Sequence, residues 1–501
     1  MLVVSFPLQE KPAEIYARFC RTPGTAILAS GGEPRPQSHF PLARWSFMAA
    51  RPFMVFSCFR ERLSLTPDNT NLALPGDPLA ALERLLAAFR LTAVDAPVPL
   101  PAGAIGYLSY ELRTAVERVP ARATDDLGLP HLYLAFYDAV VSIDHHRNTV
   151  WVTSTGLPEK GPAAVARARE RCEELLEQLR RPPEPVSLYP TTLQERALTP
   201  TSSFTRPGYL AAVRRVKEYI AAGDVYQVNL AQRFAIPAML PGFPLFLKLL
   251  ETNPVPFAAY LSGPGFELVS SSPERFLHFD AAAGVVHTRP IKGTRPRGGT
   301  TEEDNRLALE LLASEKDRAE HVMIVDLERN DLGRVAEPGS VRVPEFCVLE
   351  PFPTVFHLTS TIEARLKRDT GVAKLLRATF PGGSVTGAPK IRAMEIIDEI
   401  EPVARGIYTG AIGYFSFTGN LDLNIAIRTL VLAREAVYFH AGGGIVADSD
   451  PEQEYQETLD KAAALFDAVG LPRKNFYKSQ TGANYDIWRE GVGGISKRGF
   501  R

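Results

Sequence analysis

Two acidic pairs at helical spacing set out the chemistry open to this chain. In SEKDRAEHVMIVDLERND, Asp317 and Glu320 lie three residues apart; in DPEQEYQETLDKAA, Glu454 and Glu457 do the same, with Lys461 one turn further on. Residues at i and i+3 share a helix face. Two such faces, opposed, would present four carboxylates to one site. Hard oxygen ligands that leave room for water are what Mg²⁺ prefers. Each pair alone would serve equally as solvated helix surface. Glu452 and Glu454 also suit the positive end of a helix dipole.

The segment TRPIKGTRPRGG (288–299) brings Arg289, Lys292, Arg295 and Arg297 together. Clustered cations disfavour a protonated lysine, and a free amine is a nucleophile or a base. A solvated basic loop is the other reading. The run AGGGIVA (441–447) follows the strand-like AVYFH. Consecutive glycines either converge backbone N–H groups on an anion or make a tight turn. The loop PGGSVTGAPK (381–390) precedes a helix expected from about Pro389, where Thr386 and nearby amides could hold a carboxylate. Ala388 stands where a phosphate-binding loop needs lysine, so nucleotide binding is not indicated. GxGxxG, HExxH and GxSxG are absent.

These segments need a large framework, and 501 residues supply one. The net charge of −1 and the lack of a broad basic tract argue against a nucleic-acid partner. Cys20, Cys58, Cys172 and Cys347 contain no CxxC, which excludes zinc ribbons and thioredoxin-type chemistry and fits a reducing compartment. No basic leader and no run of ~18 apolar residues is present, so a cytoplasmic location without membrane contact is expected. Residues 1–181 read as a strand-rich region. LYLAFYDAVVSI (132–143) and TVWVTST (149–155) suggest a hairpin closed by DHHRN. Helices are expected at 12–20, 78–90 and 162–181, the last stopped by Pro182-Pro183. Residues 182–207 read as a Pro/Ser/Thr-rich linker, 208–470 as the catalytic region ending in a helix at 451–468, and 471–501 as a tail with no clear element.

Taken together, the segments resemble the chorismate-utilising enzymes, which include the anthranilate, aminodeoxychorismate, isochorismate and salicylate synthases. The similarity runs from GAIGYLSYEL (103–112) to about Gly470. It is carried by DVYQVNLAQRF (224–234), SSSPERF (270–276), RPIKGTRPRG (289–298), DRAEHVMIVDLERNDLGRV (317–335), HLTSTI (357–362), PGGSVTGAPK (381–390), GIYTGAIGY (406–414), IAIRTL (425–430) and AGGGIVADSDPEQEYQET (441–458). The resemblance implies an α+β fold of two packed antiparallel sheets with flanking helices, and chorismate held with Mg²⁺. By motif position, Glu320 and Glu457 match direct metal ligands, and Asp317 and Glu454 match ligands acting through water. Tyr408, Arg428, Gly442 and Lys461 match positions that hold a substrate carboxylate, and Thr386 and His357 line the same pocket.

Two positions sort this family by reaction. Where the isochorismate and salicylate synthases carry a lysine that activates water, this chain has Gln227, and an amide does not titrate. Anthranilate synthases typically read PIAGT where this chain reads PIKGT, with Lys292. The resemblance therefore implies amination of chorismate at ring carbon 4 to 4-amino-4-deoxychorismate, towards 4-aminobenzoate and folate, through a covalent Lys292 adduct. Glu274 matches a carboxylate that handles protons. The alternative is anthranilate formation for tryptophan synthesis. None of the four cysteines sits in a glutaminase-like elbow, so ammonia is expected from a separate glutamine amidotransferase subunit in a heterodimer. With only about 30 residues after 470, no fused lyase domain is expected. The LLES-type segment of tryptophan-inhibited members is replaced by AILASGG (26–32), so tryptophan feedback is not expected.

Overall fold

The computed structural model describes residues 1–31, 42–67, 74, 76–91, 96–186 and 200–471. Residues 187–199 of the expected linker, Gly32 of the AILASGG segment and 472–501 of the expected tail lie outside these residues. Among the described residues the strands form two sheets, of twelve and eleven strands, with antiparallel pairing along both. The first sheet runs from the N-terminal strand Leu2–Pro7 through Ala26–Ala29 and Phe257–Gly263 to Ala436–Ile445 and Gln227–Ile236. The second runs from Ile291–Pro296 through Arg275–Asp280 and Ala411–Ser416 to Leu132–Tyr137 and Arg62–Thr66. Each sheet thus draws strands from both sides of residue 200.

The sheets pack face to face. Phe47, Leu261, Phe266 and Leu268 of the first meet Ile105, Tyr107, Tyr133 and Tyr414 of the second in one buried cluster. Tyr107 and Tyr133 each meet Phe266 edge to face, at centroid separations of 5.7 and 5.2 Å. The outer face of the first sheet is covered by helices Gly161–Arg180, Arg206–Ala221, Gly242–Thr252, Lys390–Ile400 and Pro451–Ala468. That of the second is covered by Pro78–Ala88, Glu315–Gly333 and Val372–Thr379. The order helix–sheet–sheet–helix buries strands on both sides, and Leu132–Tyr137, Ala139–Asp144 and Gln227–Ile236 are buried along their whole length. The expected fold class is observed.

Local signals explain the helices. Pro451–Ala468 coincides with its expected span; Asp450 caps it by accepting from the backbone N–H groups of Glu452 and Gln453, both at 3.0 Å, and Pro451 fills its first turn. Helices Pro12–Ala17, Pro78–Ala88 and Gly161–Arg180 stand where periodicity put them.

Two sequence expectations are corrected. The run 132–143 is not one strand: it breaks at Asp138, with Leu132–Tyr137 in the second sheet and Ala139–Asp144 in the first. Asp138 is fully buried at the crossing, where Arg167 and Arg171 reach it at 2.8 and 3.3 Å. Only the second half pairs with Thr149–Ser154 as the hairpin. The glycines of 441–447 are not a turn either. Strand Ala436–Ile445 runs straight through them, paired with Gln227–Ile236.

Candidate active site

The site grows from that strand pair. Gly442, Gly443 and Gly444 face Ala231, Leu230 and Asn229 in register, and the strand opposite begins at Gln227. A Cβ on Gly444 would fall 1.9 Å from Gln227 Nε2 and 3.5 Å from Lys292 Nζ. One on Gly443 would fall 3.0 Å from Glu454 Oε2 and 3.3 Å from Glu457 Oε1, and one on Gly442 2.5 Å from the Leu230 carbonyl. The glycines are therefore a bare stretch of backbone over which amide, amine and carboxylates converge. Their value is the missing side chain, not a turn.

Two helices carry the acidic pairs, and the charge of Glu457 reaches Glu320. Helix Glu315–Gly333 brings Asp317 and Glu320, and helix Pro451–Ala468 brings Glu454 and Glu457. Lys461 Nζ bridges Glu457 at 2.5 Å and donates to the Gly442 carbonyl at 3.1 Å. Nearly half the side-chain surface of both Glu457 and Lys461 is exposed. The Lys461 ammonium holds the Glu457 carboxyl below the usual range against the pull of burial. Burial pulls Lys461 down, but Glu457 outweighs it and the net shift is upward. Burial raises both Glu320 and Glu454; Lys292 opposes the rise at Glu320, and the Ser449 hydroxyl opposes it at Glu454.

Ser449 donates to Glu454 Oε1 at 2.6 Å, while Oε2 is buried without a hydrogen-bond partner among the described residues. Asp317 is paired with Arg295 at 3.1 Å. Among the described residues no group of three or more His, Cys, Asp or Glu side chains is ready-made for a metal. The orphaned Glu454 oxygen beside Glu457 nonetheless suits a cation that takes one or two carboxylates and fills its shell with water and ligand oxygens.

Lys292 stands near the start of strand Ile291–Pro296. Burial lowers its pKa; Glu320, Glu274 and Glu457 oppose the fall, and Lys461 adds to it. The direction is the one expected, but the cause is not. The flanking arginines are each neutralised: Arg289 by Glu345 and Glu350, Arg295 by Glu310 and Asp317, Arg297 by Asp304. Glu274 is 4% exposed, accepts from the Ile291 N–H at 3.4 Å and is raised by burial, with Ser384 and Lys292 pulling it back.

The remaining expected residues stand around this centre. Thr386 is buried in the 381–388 loop; its hydroxyl donates to the Gly382 carbonyl at 3.1 Å, and its own carbonyl accepts from Asn229 at 2.8 Å. Tyr408 stacks on His440, with centroids 5.0 Å apart. Arg428 has φ +50° and its guanidinium makes no hydrogen bond to the protein among the described residues; burial lowers its pKa, and Glu274 opposes that. Gln227 Oε1 is buried without a partner among the described residues. His357 contacts Thr294 at 2.8 Å and Phe352, so it bears on the strand that carries Lys292 rather than on the carboxylates. Sequence reading missed Ser384, His440 and the buried Arg405, which pairs with Glu401 at 2.6 Å and donates to the Asn229 carbonyl at 2.6 Å. Arg405 lies outside any helix, so periodicity gave no signal for it.

The sequence profile of the chorismate binding enzymes matches residues 46–467. The chain belongs to that family. Among relatives of this chorismate-binding chain, aminodeoxychorismate synthase component 1 of Escherichia coli is 41% identical over 92% of this chain and 96% of its own length. An anthranilate synthase component 1 of Haloarcula marismortui is 43% identical over 79% of this chain and 81% of its own. Of solved structures, anthranilate synthase component I from Streptococcus pneumoniae superposes with a TM-score of 0.74 at 32% identity, covering 86% of this chain and 94% of that one.

Proposed function

We propose that this chorismate-utilising enzyme aminates chorismate at ring carbon 4 with ammonia, giving 4-amino-4-deoxychorismate. The observation that carries the reading is a Lys292 amine held below its ordinary pKa beside Gln227 and the Gly444 backbone, within reach of the charge of Glu274. Arg428, Lys461, Tyr408 and the Gly442 backbone hold the substrate carboxylates, and Thr386 and His357 complete the pocket wall. Glu320 and Glu457 would hold Mg²⁺ directly, and Asp317 and Glu454 through water. Bound there, the ion would supply charge screening and orientation of the substrate.

The neutral Lys292 amine attacks ring carbon 2, and the 4-hydroxyl leaves as water with a proton delivered by Glu274. Ammonia then adds at carbon 4, the carbon 2–Nζ bond breaks, and the lysine amine is regenerated. Dividing the substitution in two gives each step an accessible geometry. Gln227 cannot accept a proton, which disfavours water as the nucleophile. A separate glutamine amidotransferase supplies the ammonia in a heterodimer; the relatives' designation as component 1 supports this. The product feeds 4-aminobenzoate and folate synthesis in the cytoplasm.

A second reading, anthranilate formation, is favoured by the similarity to anthranilate synthases. The readings part at the covalent adduct. Protein incubated with chorismate and Mg²⁺ but no ammonia, then denatured, is expected to gain the mass of chorismate less water on the peptide carrying Lys292. Chorismate turnover in ammonium without any such adduct would count against the lysine route.

A further inference from the structure

Behind Glu274 lies a second buried acid that the reaction as written does not use. Glu328 sits on helix Glu315–Gly333, about two turns beyond Glu320, and is 7% exposed. Its Oε2 accepts from the Thr288 hydroxyl at 2.7 Å. A small cavity, about the size of one water molecule, is lined by Phe276, Thr288, Glu328, Asp331, Thr379 and Gly383. The charges facing Glu328 are those of Glu274 from the link between strands Phe266–Ser272 and Arg275–Asp280, Asp331 from its own helix and Lys390 from helix Lys390–Ile400. Lys390 is already committed, donating to Asp331 at 2.5 Å and to the Thr379 carbonyl at 3.0 Å. Glu328 is therefore a buried acid without a cation of its own.

The partition between the two acids is thin. A Cβ on Gly383 would stand 2.8 Å from Leu327 Cδ2 and 3.5 Å from Glu328 Cγ, so the loop rests directly on the helix. The next residue, Ser384, bears on Glu274 from the same loop. Phe276, two residues after Glu274, forms part of the cavity wall.

We propose that Glu328 is a positioning residue for chorismate conversion: a proton-bearing acid behind the glycine loop whose charge state governs whether Glu274 can release its proton. Burial pushes the Glu328 carboxyl up to about 8, Thr288 draws it down, Glu274 and Asp331 raise it, and Lys390 lowers it. Interaction between two acids is mutual. Below that pH Glu328 is neutral and Glu274 can cycle between acid and base. Above it, a negative charge behind the loop opposes the loss of the Glu274 proton, and turnover slows. The inference rests on Glu274 handling protons at the site, not on which product forms.

The test is kcat for chorismate consumption against pH, at constant free ammonia, for the wild type, E328Q and Thr288→Val. Infrared titration of the protonated-carboxyl band is followed in parallel. The wild-type rate is expected to fall by about ten-fold between about pH 7 and 9, and the E328Q profile to lack this fall. The Thr288→Val midpoint moves upward, because the hydroxyl that stabilises ionised Glu328 is gone. A component of the infrared band titrates over the same range in the wild type, and that component is missing from E328Q. An E328Q profile with the wild-type midpoint, or a wild-type spectrum without that component at pH 7, overturns the proposal. If E328Q does not fold, the Thr288→Val shift and the wild-type band decide it. Absence of chorismate turnover in every protein would overturn the enzymatic reading instead, while the band still reports on Glu328.

Discussion

Lys292 feels three carboxylates, yet burial still holds its amine below the ordinary lysine range. An unfolded lysine titrates near ~10.4, so below that pH folding works against a proton the unfolded chain would keep. The cost is full below the folded pKa and vanishes above the unfolded one. Replacing Lys292 with Met removes it. Lys292→Met should abolish product formation, by at least about 10²-fold, while its thermal midpoint near pH 7 equals or exceeds wild type and the advantage shrinks in alkali. Thermal scans at several pH values check this. A variant that loses both stability and activity would make Lys292 a structural residue. At this scale motif position named the candidate residues but not what surrounds them. Lys292, Glu274 and the acidic pairs were identifiable from motif position. The source of the lysine shift was not, because nothing local shows that Glu345, Glu350, Glu310, Asp317 and Asp304 neutralise its neighbouring arginines.

Strand Ala436–Ile445 works by omission, its three glycines letting the Glu454, Glu457 and Gln227 side chains lie against backbone. Gly443→Ala puts a methyl group 3.0 Å from Glu454 Oε2 and 3.3 Å from Glu457 Oε1. The expected outcome is a folded protein, destabilised by about 1–3 kcal/mol. The Mg²⁺ concentration for half-maximal activity should rise by about ten-fold or more. Titration of activity with Mg²⁺ measures it; an unchanged requirement would remove Glu454 and Glu457 from the cation site. Of the two readings of 441–447, the tight turn failed because glycine runs break strands on average, and only the approach of another element makes them useful inside one. Helix Pro451–Ala468 was legible because Asp450, Pro451 and the apolar period are all local.

The whole molecule is held by crossings between its sheets. Strands buried on both faces lose the alternation that marks a strand, so 132–143 read as one run, although its halves belong to different sheets. The layered architecture followed from resemblance to a family, not from periodicity. Asp138 marks the crossing, and Arg171 is buried beside it. Asp138→Ala leaves Arg171 with the part-exposed Glu174 as its only carboxylate and removes the carboxylate of Arg167, and should cost about 1–3 kcal/mol in urea unfolding. It lies far from Lys292 in sequence, and the chorismate chemistry of the folded fraction should be unchanged. A loss under about 1 kcal/mol would mean that the crossing is held by its apolar neighbours alone.

Product identity tests the central claim most directly. Purified protein is mixed with chorismate, Mg²⁺ and ammonium at mildly alkaline pH, where free ammonia is the nitrogen source, and the products are separated and weighed by mass spectrometry. The account predicts 4-amino-4-deoxychorismate, converted to 4-aminobenzoate on addition of a lyase, with none formed by Lys292→Met. Anthranilate and pyruvate as the products would contradict it and assign the enzyme to tryptophan synthesis.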